Sequence, residues 1–138
     1  MTEGIMTVSE LMQRNVTTVL GEATVGEAIA ALADGHFSGM PVVDGTGRVI
    51  GVVSTSDVLT AEAEADDAAA RRAVLESTPV RDIMTPRPFT VRPDEDVREA
   101  ARQMLYGEVH RLFVAEGDKV VGIISTTDIV RAVATGRL

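Results

Sequence analysis

Cysteine is absent, so no disulfide braces this chain and no thiolate serves as nucleophile or metal ligand. Tryptophan is absent too, and one Tyr and three Phe are the only aromatics. The core must therefore come from Val, Ile, Leu, Met and Ala. Basic residues are outnumbered, 13 against 21 acidic ones, for a net charge of −8. That balance excludes a general nucleic-acid or anionic-membrane binder, which carries a basic patch, but it leaves room for one local anion site. No apolar run resembles a signal peptide or reaches bilayer-spanning length. The expectation is a cytoplasmic protein in a reducing compartment.

What is present is enough for a core: 138 residues, 45% of them apolar. The chain also repeats itself. Val8-Ser9-Glu10-Leu11-Met12 precedes Val80-Arg81-Asp82-Ile83-Met84 by 72 positions. At the same offset Thr18-Val19 matches Thr90-Val91, Glu27-Ala28 matches Glu99-Ala100, and Gly35 matches Gly107. One residue is lost in a turn near Gly45. Then Gly51-Val52-Val53-Ser54-Thr55-Ser56-Asp57 matches Gly122-Ile123-Ile124-Ser125-Thr126-Thr127-Asp128 without a gap.

Each half reads as the same α/β string. A short helical turn (residues 8–13) leads to a strand at 17–19. A helix over 25–34 follows, N-capped by Thr24 and closed by Gly35. Strands at 40–43 and 48–53 flank the Asp44-Gly45-Thr46-Gly47 turn, and a helix starts at the hydroxyl run. In the second half Asp96 caps a helix to Tyr106, strands run over 112–115 and 119–124, and a last helix covers 126–134. The order is strand, helix, strand, strand, helix. A unit of about 55 residues holds too little core to stand alone, so the halves should pack on each other. The expected domains are residues 7–60 and 80–135, with a helical linker over 61–79. That linker is rich in Ala, Glu and Arg and is read as an extension of the preceding helix, broken near Asp66-Asp67. Its carboxylates read as a solvated face rather than a metal site.

The mid-half helices differ. Residues 97–105 are amphipathic with one wet face, whereas residues 25–33 carry Glu27 as their only charge. A helix apolar or small nearly all round is covered on more than one side, by the other half, a second copy or a partner domain. Self-association into a homodimer is the expectation.

The repeated stretch places hydroxyls and a carboxylate where a strand becomes a helix. One reading is a capping box, which accounts for Ser54, Asp57, Ser125 and Asp128. It does not require Ser56 or Thr127, small hydroxyl residues in both copies. The other reading is a ligand site. A helix N-terminus offers unpaired N–H groups to a phosphate, the hydroxyls add donors, and the carboxylate accepts from a ribose diol. Together these describe a nucleotide bound along its ribose-phosphate edge. Both readings stand on the residues alone.

With these motifs in order twice, the chain over residues 7–135 resembles a tandem pair of cystathionine-β-synthase (CBS) domains, a Bateman module. The matching features are Val-x-x-Leu/Ile-Met, Thr-Val, the Pro41-Val42-Val43-Asp44 strand, and Gly followed by two β-branched residues and Ser-x-Ser/Thr-Asp. The resemblance implies two pseudo-twofold-related repeats packed through their sheets, with clefts between them that take adenosine ligands. It implies that Asp57 and Asp128 hold ribose, that Ser54, Ser56, Ser125 and Thr127 face phosphate, and that Thr18 and Thr90 line adenine. His110-Arg111 resembles the phosphate-contacting pair of adenine-nucleotide sensors, whereas the first half has Ser38 and Gly39 there. The Asp128 site, with the permanent charge of Arg111, should be the stronger. His36 reads as structural, and Met12 and Met84 as core fillers.

Three functions follow from this. The first is a non-enzymatic regulatory module binding AMP, ADP or ATP as a regulatory ligand, with no catalytic cofactor and with its target in a separate protein. The second is a dimeric interaction module whose clefts are vestigial or differently specific, for example for S-adenosylmethionine. The third, an enzyme acting on nucleotides, lacks a nucleophile with a paired base or a metal-holding cluster.

Overall fold

The computed structural model describes residues 4–86 and 90–138. The chain runs α1 (Val8–Leu11), β1 (Val19–Leu20), α2 (Val25–Gly35), β2 (Gly39–Val43), β3 (Val49–Ser54), α3 (Thr55–Ala63) and α4 (Ala68–Ser77). A 3₁₀ turn (Val80–Asp82) precedes β4 (Thr85–Pro86), β5 (Thr90–Val91), α5 (Val97–Gly107), β6 (Arg111–Glu116), β7 (Lys119–Ser125) and α6 (Thr126–Ala134). Thus the two strand, helix, strand, strand, helix strings form as expected, with ends moved by a residue or two.

Two compact units result. One is Thr17–Pro88, and the other joins Met1–Val16 to Phe89–Leu138. By sequence, α1 opens the first repeat, yet it folds onto the body of the second. Reciprocally, residues 80–86 open the second repeat and fold onto the body of the first.

In the Thr17–Pro88 unit, β1 runs parallel to β2 through the α2 crossover, β2 and β3 form an antiparallel hairpin, and β4 pairs with β3. Met40, Val42 and Val53 point to one face of the sheet and bury against Ala28 and Leu32 of α2 and against Val80. In the other unit β5, β6 and β7 repeat the pattern, and Leu112, Val114 and Ile124 bury against Val97, Ala100 and Met104 of α5 and Ala132 of α6. Val8 and Leu11 of α1 complete that core.

The expectations fail in two places. Gly35 does not close α2 by taking the left-handed conformation; His36 does, at φ 55°, and Glu108 does so after α5 at φ 53°. Gly35 is small because the Phe37 ring lies against its Cα. The extra cover of α2 also has a source absent from the candidates named above, the chain's own linker. The linker breaks where Asp66-Asp67 suggested, Asp67 N-caps a new helix at Ala70 N–H (2.8 Å), and α4 packs on α2. A Cβ on Gly26 would lie 2.9 Å from the Leu75 carbonyl oxygen. At the equivalent places of α5 stand exposed Arg98 and Arg102, so that helix needs no such cover.

The glycine of the repeated stretch has a steric cause. A Cβ on Gly122 would stand 2.6 Å from the Met12 sulfur and 2.9 Å from the Gln13 carbonyl oxygen. On Gly51 it would stand 2.6 Å from the Met84 sulfur and 2.7 Å from the Thr85 carbonyl oxygen. Each glycine lets the segment after the repeated Met lie directly on the return strand. Gln13 then exchanges both backbone hydrogen bonds with Ile123, at 2.8 and 2.9 Å. Gly122→Ala is therefore expected to lower the unfolding free energy by about 1–3 kcal/mol through overpacking. Urea denaturation measures it, and an unchanged midpoint would show that this approach is not tight.

Candidate functional site

β3 and β7 each end in a Ser whose extended backbone turns directly into a helix. In both copies the serine hydroxyl accepts the aspartate N–H three residues on (3.2 Å). In return one carboxylate oxygen, Oδ2, accepts the serine N–H (2.9 Å) and hydroxyl (3.0 Å). Asp57 and Asp128 therefore complete capping boxes of identical geometry. Capping consumes Oδ2 alone.

The other oxygen, Oδ1, differs between copies. On Asp57 it accepts the Thr85 hydroxyl (3.2 Å). On Asp128 it accepts the Gln13 side-chain amide (3.2 Å), and the Arg131 guanidinium lies 3.7 Å away. Asp128 is only 7% exposed, and it is the buried charged group of the described residues. Its donors satisfy it, and no buried side-chain polar atom among the described residues lacks a partner.

Strand register decides which of the other candidates join. Arg111 stands opposite Ser125, Phe113 opposite Ile123, and Thr90 beside Phe113, while Gln13 bridges to Ile123. Paired residues share a face, and alternate residues along a strand return to it. Gln13, Thr90, Arg111 and Ser125 thus lie on the sheet face opposite the α5–α6 core. Among the described residues Arg111 has no ionic or hydrogen-bonding partner for its guanidinium. In the other unit Gly39 stands opposite Ser54, Thr85 opposite Val52, and Thr18 one residue before β1. The corresponding face carries Gly39, Ser54 and Thr85 and has no cation at the Arg111 position.

Ser56 and Thr127 are exposed in the first turns of α3 and α6. His110 parts from Arg111: it lines an apolar groove between α5 and α6 together with Thr126, whose N–H donates to the His110 carbonyl (2.9 Å). Among the described residues no group of three or more His, Asp or Glu is placed to hold a metal, and no helix is long and apolar enough to cross a membrane.

Gln13, Thr85 and Arg131 were missed from sequence. Gln13 and Thr85 each follow the repeated Met and occupy equivalent positions. Arg131 sits at i+3 from Asp128 on one helix face, a spacing that brings charges together.

The chain matches the family model for the CBS domain twice, over residues 8–64 and 80–135. It is 31% identical over 152 residues to the CBS domain-containing protein CBSX1, chloroplastic, of Arabidopsis thaliana, covering 94% of this chain and 64% of that one. It is 28% identical to the inosine-5′-monophosphate dehydrogenase of Methanocaldococcus jannaschii, covering 94% of this chain but 24% of that enzyme. The chain thus spans less than two thirds of each of these relatives. Among solved structures, Arabidopsis CBSX2 in complex with AMP superposes with a TM-score of 0.79 at 29% identity, covering 96% of this chain and 98% of that one.

Asp128→Ala strips acceptors from the Ser125 N–H, the Ser125 hydroxyl and Gln13 at once. It is expected to cost about 1–3 kcal/mol of stability. Asp57→Ala, at a more open site with a single hydroxyl on Oδ1, should cost less. Thermal unfolding of the two variants side by side checks the order, and equal losses would contradict it.

Proposed function

The chain belongs to the CBS domain family, with two copies in tandem, and from that premise we propose that it is a non-enzymatic regulatory module binding an adenine nucleotide of the AMP, ADP or ATP class. The observation that carries the reading is Arg111. It is a guanidinium with no partner among the described residues, across the ladder from Ser125, on the face that also holds Thr90 and Gln13 and beside the α6 N-terminus. A cation and first-turn hydroxyls suit phosphate, and a carboxylate with one oxygen fixed by its cap suits a ribose diol. In this reading Asp128 accepts from the ribose, Ser125 and Thr127 face phosphate with Arg111, and Thr90 lines the base. Asp57, Ser54, Ser56 and Thr18 form the first-repeat counterpart. His110, on the apolar groove, reaches phosphate only if its ring turns from that groove. The AMP bound to CBSX2 supports the ligand class.

In this reading ligand binding acts by shifting a conformational or assembly equilibrium. The target would be a separate protein, and the module would work in the cytoplasm. Exposed apolar side chains support a homodimer: Leu105 (79%) and Val130 (64%) line the α5–α6 groove of about 550 Å³, and Leu59 (68%) lines its α2–α3 equivalent of about 410 Å³.

Calorimetry on the full chain is expected to show AMP binding. Asp128→Asn should weaken it at least about ten-fold, because a charged acceptor is lost. Arg111→Ala should weaken AMP more than adenosine. Unaltered AMP affinity in Asp128→Asn, or equal losses for both ligands in Arg111→Ala, would sink the assignment. Light scattering should return twice the 14.6 kDa chain mass, falling to one with Leu105→Glu in the groove. A monomeric wild type would refute the dimer.

A further inference from the structure

Two crevices flank the repeated carboxylates, and they are counterparts under the repeat. One, of about 380 Å³, is lined by Asp128, Arg131, Gln13, Glu10 and Arg137. The other, of about 220 Å³, is lined by Asp57, Thr60, Glu64 and Asp82. At the repeat offsets Arg131 corresponds to Thr60, Thr135 to Glu64 and Glu10 to Asp82. The frame is shared and the charge is not. Two guanidiniums face two carboxylates in the first crevice, whereas three carboxylates and no cation line the second.

The carboxylates of the first crevice are also more fully occupied. Glu10 is turned back onto its own helix start, where the Thr7 N–H (2.7 Å) and hydroxyl (3.1 Å) donate to it and hold its carboxyl below the ordinary range. Asp128 has Oδ2 in its cap and Oδ1 against Gln13 and Arg131. A diol that takes Oδ1 displaces the Gln13 amide and competes with Arg131. That side chain is long and 64% exposed, and once released from a contact of 3.7 Å it is free to face an anion on the same ligand. At Asp57 the diol displaces only the Thr85 hydroxyl, and the surroundings of Glu64 and Asp82 repel an anion.

From these facts we propose that the two crevices sort adenosine ligands by charge. The Asp128 crevice takes the form with a 5′-phosphate, and the Asp57 crevice takes a form whose 5′ substituent is neutral or cationic. The proposal rests on the adenine-nucleotide reading and adds Arg131, Thr60, Glu64 and Asp82 as its specificity determinants. Arg131, Arg137, Glu64 and Asp82 are exposed to solvent, so the sorting should fade as salt is raised.

The test uses the full chain and three probes differing only at the 5′ position: AMP, adenosine and 5′-amino-5′-deoxyadenosine. Amide NMR shifts at residues 125–128 and 54–57 report which junction each probe fills. AMP is expected to move the first set at lower concentration, and the amino compound the second. Arg131→Thr and Thr60→Arg exchange the equivalent helix-surface residues, both exposed, without touching either cap. The AMP-to-adenosine affinity ratio should fall roughly two- to five-fold at residues 125–128 in Arg131→Thr. It should rise similarly at 54–57 in Thr60→Arg. A ratio unmoved in both variants, or AMP filling the 54–57 junction first in the wild type, overturns the sorting while leaving nucleotide binding intact. Silence toward all three probes at millimolar concentration overturns the nucleotide reading itself, and the sorting with it.

Discussion

The double use of one aspartate side chain is the constraint from which the rest of this molecule follows. A strand that turns into a helix within a single residue leaves N–H groups unpaired, and here the serine N–H and hydroxyl are given to Oδ2 of the aspartate three residues on. That bond fixes the carboxylate's rotamer, so Oδ1 is aimed at the donors beside it, Thr85 in one copy and Gln13 in the other. A side chain already held in place loses little entropy when a second acceptor site is filled. Capping and binding are thus not rival explanations of the Ser-x-Ser/Thr-Asp pattern. The first makes the second inexpensive.

What meets Oδ1 depends on a steric condition elsewhere. Gln13 and Thr85 reach it because the backbone after Met12 and Met84 lies flat on the return strand, and it lies flat because residues 122 and 51 have no side chain. These segments begin one repeat but fold with the body of the other. Each carboxylate and its Oδ1 donor therefore come from different repeats, and neither repeat alone, with about 55 residues, could assemble the pair.

This division also explains what was legible in the sequence. Hairpins, caps and the break before Ala68 are written in residues within four or five positions of one another, and those were read to within a residue or two. The capping box at Ser54 and Ser125 was readable for the same reason. Non-local contacts were not. Nothing near Gly26 says that Leu75 will lie on it, only that something can, because a lack of charge marks a helix face as covered without naming the cover. Likewise Gln13 looks like one more polar residue after a short helix until the strand register sets it at Ile123. The left-handed residue was misplaced by one position because glycine after a helix has two possible uses. At Gly35 making room for Phe37 outweighed conformational freedom, and His36 took the positive φ instead.

The two halves keep their caps to the same tenth of an ångström yet differ at nearly every position around them. Ser38 and Gly39 answer His110 and Arg111, Thr85 answers Gln13, Thr60 answers Arg131, and Glu64 answers Thr135. Changing a capping residue costs a helix start and loosens the core behind it, so stability by itself is enough to hold those positions. The flanking residues are exposed or half-buried, and substitution there leaves the fold nearly untouched. Around the fixed carboxylates, the repeats therefore diverge in side chains that alter charge and hydrogen-bonding donors. A scaffold built this way keeps two copies of one capped-carboxylate geometry while letting their electrostatics move apart.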